Sequence, residues 1–390
     1  MSTPPSVPSK DDHPYEQEVT VAEPAEMVQL LSADGVLQTE GAAADYLPYI
    51  DALSDDQLRR FHRDMVVIRR FDVEAANLQR QGQLGLWVPS MGQEAAQVGS
   101  GHAARDQDHI FPAYREHAVA MVRGVDVLGI IGLLRGTTHG GWNPAESKNF
   151  HLYTLVIASQ TLHATGYAMG IALDGEPIGD PAVDEAVMVY FGDGSMSQGD
   201  LNEALVFAAS YQTPQVFFLQ NNHWAISVPV SVQSRIPLYQ RAGGFGIPGI
   251  QVDGNDVLAS FAVTRQNLDA ARSGAGPRFI EALTYRVGAH TSSDDPTKYR
   301  TDAELASWVA RDPIIRFEKW LRSKGEDDAF FAAVAEEAED FAADIRRRTL
   351  ELGIPSTDRM FDHVYSEPHP VTSAQKAWLA DYESSFGADA

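Results

Sequence analysis

Two apolar runs, separated by one helix's worth of chain, constrain this sequence more than any other feature. Residues 186–191 (AVMVYF) run into Gly192-Asp193-Gly194, and residues 215–219 (QVFFL) run into Gln220-Asn221-Asn222. Residues 198–211 between them read as a helix. A strand followed by a crossover of that length returns parallel to itself, so both strand ends open on the same edge of one sheet. The pattern recurs. Residues 108–113, 249–252 and 278–285 read as strands, and 161–173 and 257–272 as helices. Apolar strands alternating with helices predict an α/β fold, a doubly wound and mainly parallel sheet with helices on both faces. Ligands of such sheets bind beyond the carboxyl ends of the strands.

The flanks read differently. Residues 1–45 are rich in Pro, Ser, Asp, Glu and Ala and show little periodicity, which predicts a tail that is flexible or docked on a partner. At Ser54 the pattern changes. Ser54-Asp55-Asp56-Gln57 is a capping-box start, and Leu58, Phe61, Met65, Ile68 and Phe71 follow at helical spacing to about Gln81. From about Asp302 the chain reads as helices and loops, with 336–352 highly charged and expected to be solvated. The expected organisation is a tail over 1–45, an α/β domain over 46–330 and a helical extension over 331–390.

Composition excludes several classes of function. No run of eighteen apolar residues is present, and the N-terminus lacks a basic stretch followed by an apolar one, so neither a membrane span nor a secretory signal is expected. Zero cysteines exclude disulfides, thiolate catalysis and Cys-based metal sites, which fits the cytoplasm. A net charge of −24 disfavours nucleic acid and anionic membranes as partners. It also sets a condition. An anionic ligand would need local Arg, His or metal charge against the global field.

Gly-Asp-Gly by itself is an ordinary turn after a strand. It is not a dinucleotide fingerprint, because the next glycine is Gly199 and the GxGxxG spacing fails. Asp193 would repel a diphosphate unless a cation lay between them. A carboxylate at a strand end, just before a helix N-terminus, suits a divalent ion bridging to a diphosphate. Asn222, one strand–helix–strand unit later, offers a neutral oxygen, and a nearby loop carbonyl offers another. With phosphate oxygens and water these complete an octahedron suited to Mg²⁺.

The paired halves, GDGSMSQGDLNEALVFAASYQTPQVFFLQNN, are identified as the thiamin diphosphate motif. SQGDLNEAL, QNNHWAISVPV, GIPGIQVDGNDV and YRVGAHTSSDDPTKYR narrow the likeness. They resemble the alpha subunit of the decarboxylating component of heterotetrameric 2-oxo acid dehydrogenases, of pyruvate or branched-chain type, over about residues 50 to 330. The resemblance implies thiamin diphosphate and Mg²⁺ as cofactors. It implies Asp193, Asn222 and the Trp224 carbonyl as metal ligands, and backbone N–H groups of Gly194 and Ser195 on the diphosphate, with Gly192 and Gln220 close by. Tyr114-Arg115 would otherwise be an ordinary surface pair; by resemblance it contacts the diphosphate, where a planar guanidinium is well suited. His290 would otherwise be a solvated loop histidine; by resemblance it lies over the cofactor as the catalytic residue. Leu155, Ile157 and Ser159 could be plain core, and by resemblance lie against the aminopyrimidine ring. Thr291, Ser292 and Ser293 stand where related eukaryotic enzymes carry a regulatory phosphoserine.

The chain is too short for a second α/β domain, and the glutamate that activates the cofactor ring is not found. The resemblance assigns both to a beta subunit in an α₂β₂ assembly. The implied reaction is oxidative decarboxylation of a 2-oxo acid, the acyl group passing to the lipoyl group of an acyltransferase component. IQVDGNDV, AISVPV and HTSSDDP lean toward branched-chain substrates such as 3-methyl-2-oxobutanoate over pyruvate. Alternatives are an acetoin dehydrogenase or half of a split transketolase.

Overall fold

The computed structural model describes residues 26–386, apart from 139, 176–178 and 181–182. Strands β1 (His109–Phe111), β2 (Val187–Gly192), β3 (Gln215–Asn221), β4 (Gly249–Asp253) and β5 (Arg278–Leu283) form one sheet in the order β1-β2-β3-β5-β4. Every neighbouring pair is parallel. Alternate side chains explain why the runs are continuously apolar. Met188, Tyr190, Val216, Phe218 and Ile280 enter one core, and Val187, Val189, Phe191, Phe217, Leu219 and Phe279 enter the other. A strand buried on both faces has no polar side to show.

Helices α1 (Asp55–Arg80), α2 (Glu94–Ala103), α3 (Ser159–Leu173), α4 (Gly199–Tyr211) and α5 (Val257–Arg272) cover the sheet. Phe61, Met65 and Phe71 of α1, Val98 of α2 and Leu258 of α5 fill the first core. Ala164 and Ala168 of α3 and Leu201, Ala204 and Ala208 of α4 fill the second. The doubly wound architecture is the one expected. Ser54 starts α1 with the anticipated capping box, its Oγ accepting from Gln57 N while Gln57 Oε1 accepts from Ser54 N.

Residues 1–25 of the expected tail lie outside the described residues. Its remainder is not a tail. Val28, Leu30 and Leu31 are buried in the first core. Val28 bonds along β4 through Gln251 O (3.0 Å) and Asp253 N (2.9 Å). Asp256 then accepts from Leu30 N and Leu31 N through Oδ2, while its Oδ1 caps α5 at Leu258 N and Ala259 N. Four apolar-centred residues (VQLL) suffice to extend a sheet edge, and they are too few to stand out within a polar stretch.

The C-terminal part contains α6 (Asp302–Val309), α7 (Asp328–Glu351) and α8 (Pro370–Ser384). Helix α7 crosses the boundary drawn at residue 330 and packs on α1. Val334, Ala338, Ala342 and Ile345 face inward. Its charges pair with α1, through Arg70–Glu339 at 2.8 Å, Arg346–Glu74 at 2.6 Å and Arg63–Glu337. The stretch 336–352 is therefore only half solvated. Its small inward alanines hid the buried face behind the charges. No residue of α8 is buried. No helix among the described residues is long and apolar enough to cross a membrane.

Candidate active site

The carboxyl ends of β1, β2, β3 and β5 meet at one cavity of about 340 Å³. After β2 the chain turns at once into a short 3₁₀ segment, Asp193–Ser197, which puts the Asp193 carboxylate at the strand end. Asp193 is 2% exposed. Its one side-chain partner among the described residues is Gln233, whose Nε2 donates to Oδ2 at 2.8 Å. Burial pushes the Asp193 carboxyl up to about 6. A cation there would relieve that cost.

At the end of β3 two asparagines bend the chain. Asn221 Oδ1 accepts from His223 N at 3.1 Å, and Asn222 Oδ1 accepts from Trp224 N at 3.3 Å. His223 (φ 71°) and Ile226 (φ 56°) both adopt the left-handed region, which a β-branched residue enters only under constraint. The constraint is visible. Trp224–Ala225 and Val228–Pro229 pair as a tight antiparallel hairpin, and Arg286 donates to the Trp224 and Ile226 carbonyls, each at 2.8 Å. Gly194 lies under this hairpin; an added Cβ would meet the Ala225 Cβ at 3.0 Å.

The cations come from two other strand ends. Arg115, beyond β1, is buried. Its Nη1 donates to Pro89 O and its Nη2 to His290 O at 3.0 Å. Arg286, beyond β5, also lines the cavity. These two guanidiniums supply the local positive charge that an anionic ligand requires in a chain of net charge −24. Arg115 and Arg286 also contact His290 Nδ1, at 3.2 and 3.3 Å. Burial and then these arginines lower the His290 pKa to about 3.

Of the thirteen residues singled out from the sequence, eleven line this cavity: Tyr114, Arg115, Ile157, Gly192, Asp193, Gly194, Ser195, Gln220, Asn222, Trp224 and His290. Leu155 and Ser159 are not among its lining residues. Leu155 is 62% exposed beside Val156 at 70%, and Ser159 Oγ donates to Val156 O. Gln220 belongs to a buried chain. Its Oε1 accepts from Gln97 at 3.0 Å, and its Nε2 donates to Glu116 at 2.6 Å. Ser292 is engaged with the Trp87 backbone in both directions.

Sequence reasoning missed Arg286, Gln233 and Glu116, all of which line the cavity. Arg286 had a signal: an unassigned cation four residues before His290, in a site that needed positive charge. Gln233 had none, since only the hairpin's return brings it to Asp193. Among the described residues no group of three or more His, Asp or Glu side chains could hold a metal. A dication here would rest on one carboxylate, neutral oxygens and the ligand's own anion, as Mg²⁺ sites commonly do.

Sheet order, strand-end cavity and paired guanidiniums define an α/β chain whose cavity suits an anionic ligand beside a buried carboxylate. Residues 62–343 match the family described as the dehydrogenase E1 component, and the chain belongs to that family. It is 42% identical over 357 residues to a 3-methyl-2-oxobutanoate dehydrogenase subunit alpha of Mycobacterium tuberculosis, covering 91% of this chain and 93% of that protein. It is 39% identical over 302 residues to a pyruvate dehydrogenase E1 component subunit alpha of Staphylococcus aureus, covering 77% and 78%.

Proposed function

We propose that this chain is the α subunit of a thiamin diphosphate-dependent 2-oxo acid dehydrogenase. It would carry out oxidative decarboxylation and pass the acyl group to the lipoyl group of an acyltransferase partner. The observation that carries this reading is the meeting of Asp193, Asn222, Arg115 and His290 at one strand-end cavity. When bound, the cofactor supplies a thiazolium carbon that adds to the keto group and accepts electrons as carbon dioxide leaves. The chain does the rest. Asp193, Asn222 and the Trp224 carbonyl would hold Mg²⁺. Arg115 and Arg286 would neutralise the diphosphate, with Tyr114 beside it. Gly192, Gly194 and Ser195 would allow its close approach ahead of α4, and Gln220 and His290 line the same cavity, where His290 would serve the reacting cofactor. Calorimetry of thiamin diphosphate with Mg²⁺ on the assembled enzyme tests this, and binding unchanged in Asp193→Ala would refute it.

Leu155, Val156 and Ile157 form an exposed apolar stretch that reaches the cavity through Ile157, and Ser159 Oγ donates back to the Val156 carbonyl. Such a stretch suits a second chain that covers the cofactor ring, and an α₂β₂ assembly with a beta subunit is the arrangement we favour. The cytoplasm is the compartment proposed. The greater coverage and identity of the 3-methyl-2-oxobutanoate relative favour a branched-chain substrate. Pyruvate is the second reading, favoured by the Staphylococcus relatives. Turnover of the two acids by the assembled enzyme separates them, and equal rates would remove the branched-chain preference. Ketol transfer without acyl-lipoate would instead indicate a transketolase-type activity.

A further inference from the structure

We propose that Arg286, together with Arg115, fixes His290 as the neutral imidazole with its proton on Nε2, so that His290 serves the cavity as a hydrogen-bond donor. The argument is geometric. Arg115 Nη2 and Arg286 Nη1 approach His290 Nδ1 at 3.2 and 3.3 Å. A guanidinium has only donors and does not lose its proton in a protein. Nδ1 must therefore be the acceptor, which excludes both the imidazolium and the tautomer protonated at Nδ1. The ring is not free to turn away. Arg115 Nη2 also donates to His290 O at 3.0 Å, and His290 N donates to Asp294 Oδ2 at 2.8 Å, pinning the backbone on both sides. The Tyr114 ring stands edge-on to the imidazole, with centroids 6.3 Å apart. Nε2 is neither bonded within the described residues nor among the buried unpartnered atoms, so it is solvent-accessible on a residue that lines the cavity.

Among the described residues Arg286 forms no ion pair that would draw it off His290. Its remaining bonds go to the Trp224 and Ile226 carbonyls and to the Tyr299 hydroxyl. The charged groups facing His290 are thus Arg115, Arg286 and Asp294, two cations against one carboxylate. The low His290 pKa of about 3 agrees with this balance. A neutral Nε2–H can donate to a phosphate or to a developing oxyanion, but it cannot act as a cationic acid at pH 7. Arg286 is then a positioning residue: it acts through His290.

The tautomer is a property of the chain, and what Nε2 donates to rests on the cofactor reading above. The test keeps these apart. The enzyme is assembled with its partner subunit, labelled with ¹⁵N in its histidine rings and sedimented for solid-state NMR. Subtracting the His290→Asn spectrum leaves one histidine. At pH 7 we expect one acceptor-type and one protonated nitrogen, with ring-carbon correlations placing the proton on Nε2, and the same pattern at pH 5. An imidazolium signature at pH 7, or a proton on Nδ1, overturns the proposal. That spectrum needs only His290→Asn to assemble, and it decides even where an Arg286 variant does not. In Arg286→Gln, where Arg115 still donates to Nδ1 and the ring stays buried, the ring should remain neutral but the Nδ1 resonance should shift and the Nδ1-protonated tautomer should become detectable, while Arg286→Lys keeps the wild-type pattern. A His290 pattern identical to wild type in Arg286→Gln overturns the role of Arg286. Adding thiamin diphosphate with Mg²⁺ should move the Nε2 resonance. An unmoved Nε2 beside an intact Nδ1 assignment refutes the cofactor reading and leaves the tautomer standing.

Discussion

The seam between α1 and α7 and the outer face of α3 and α4 are both helix surfaces over the same sheet, and they are finished in opposite ways. At the seam Phe71 packs edge-on to Phe341, with centroids 6.3 Å apart, Val334 and Ile345 are buried, and the rim charges find partners within the chain. On the α3–α4 face Tyr167, Leu173, Val206, Phe207 and Tyr211 stay largely exposed. Gly166 opens outward, and an added Cβ there would meet nothing within 4 Å. The difference teaches that the chain completes its back and leaves the side next to the cavity mouth unfinished. Apolar exposure on that scale marks an interaction surface.

The largest expected effect lies at the cavity. If Asp193 holds the proposed Mg²⁺, Asp193→Ala should reduce decarboxylation in the assembled enzyme by roughly three orders of magnitude, since a metal ion supplies several kcal/mol of transition-state stabilisation. The chain's own urea midpoint should not fall, because the variant removes a buried carboxylate whose burial is costly. A midpoint that fell as far as the activity would make Asp193 a folding residue. Next comes the contrast itself. Phe71→Ala at the seam should cost about 3–5 kcal/mol in the chain's unfolding free energy. Gly166→Leu on the open face should leave that energy unchanged or raise it by up to ~1 kcal/mol, from helix propensity alone, while abolishing co-purification with the partner subunit. Normal assembly of Gly166→Leu would break the comparison.

The same contrast decides what could be read in the sequence. Strands buried on both faces announce themselves as unbroken apolar runs, so β2, β3 and the span of α5 were legible. The halves of the cavity carried by Asp193 and Asn222 were legible too, because each sits directly at the end of such a run. Arg286 and Gln233 were not, since their positions depend on how a loop and a hairpin return through space. The seam was obscured for a different reason. Alanine contributes little to an apolar pattern, so Ala338 and Ala342 left the charges of α7 to dominate. The open face was the reverse case: apolar side chains on a helix are equally consistent with a buried face, and only the fold shows that nothing among the described residues covers them.

Two smaller tests probe how completely the seam is closed. His62 lies within it, buried, with neither ring nitrogen bonded, against the rings of Phe330 and Phe331. Burial lowers its pKa to about 4. A base depressed in the folded state contributes stability above its unfolded pKa of about 6.5, and that stability is lost as pH falls from there toward 4. Between pH 7.5 and 4.5 the chain should lose about 2–3 kcal/mol from this residue, read as the extra fall in unfolding free energy relative to His62→Leu. Equal falls in the two proteins would mean that water already reaches the ring.

The smallest effect is expected from the ion pairs at the seam's rim. Arg63 and Glu337 meet with both side chains about two-fifths exposed, at 40% and 44%. In that setting screening and side-chain entropy offset most of the Coulomb attraction, so a double-mutant cycle through Arg63→Ala and Glu337→Ala should return a coupling of about 0.2–1 kcal/mol that weakens with added salt. Arg346–Glu74 is the informative control. It has the same chemistry, but Glu74 is only 3% exposed. Removing Arg346 would leave a buried carboxylate whose nearest remaining cation is Arg70, at 3.1 Å. Its loss should therefore cost more than that of Arg63 and should respond less to salt. If the two pairs behaved alike, the rim would be uniformly solvated, and the seam's stability would rest on Phe71, Phe341 and Ile345 alone.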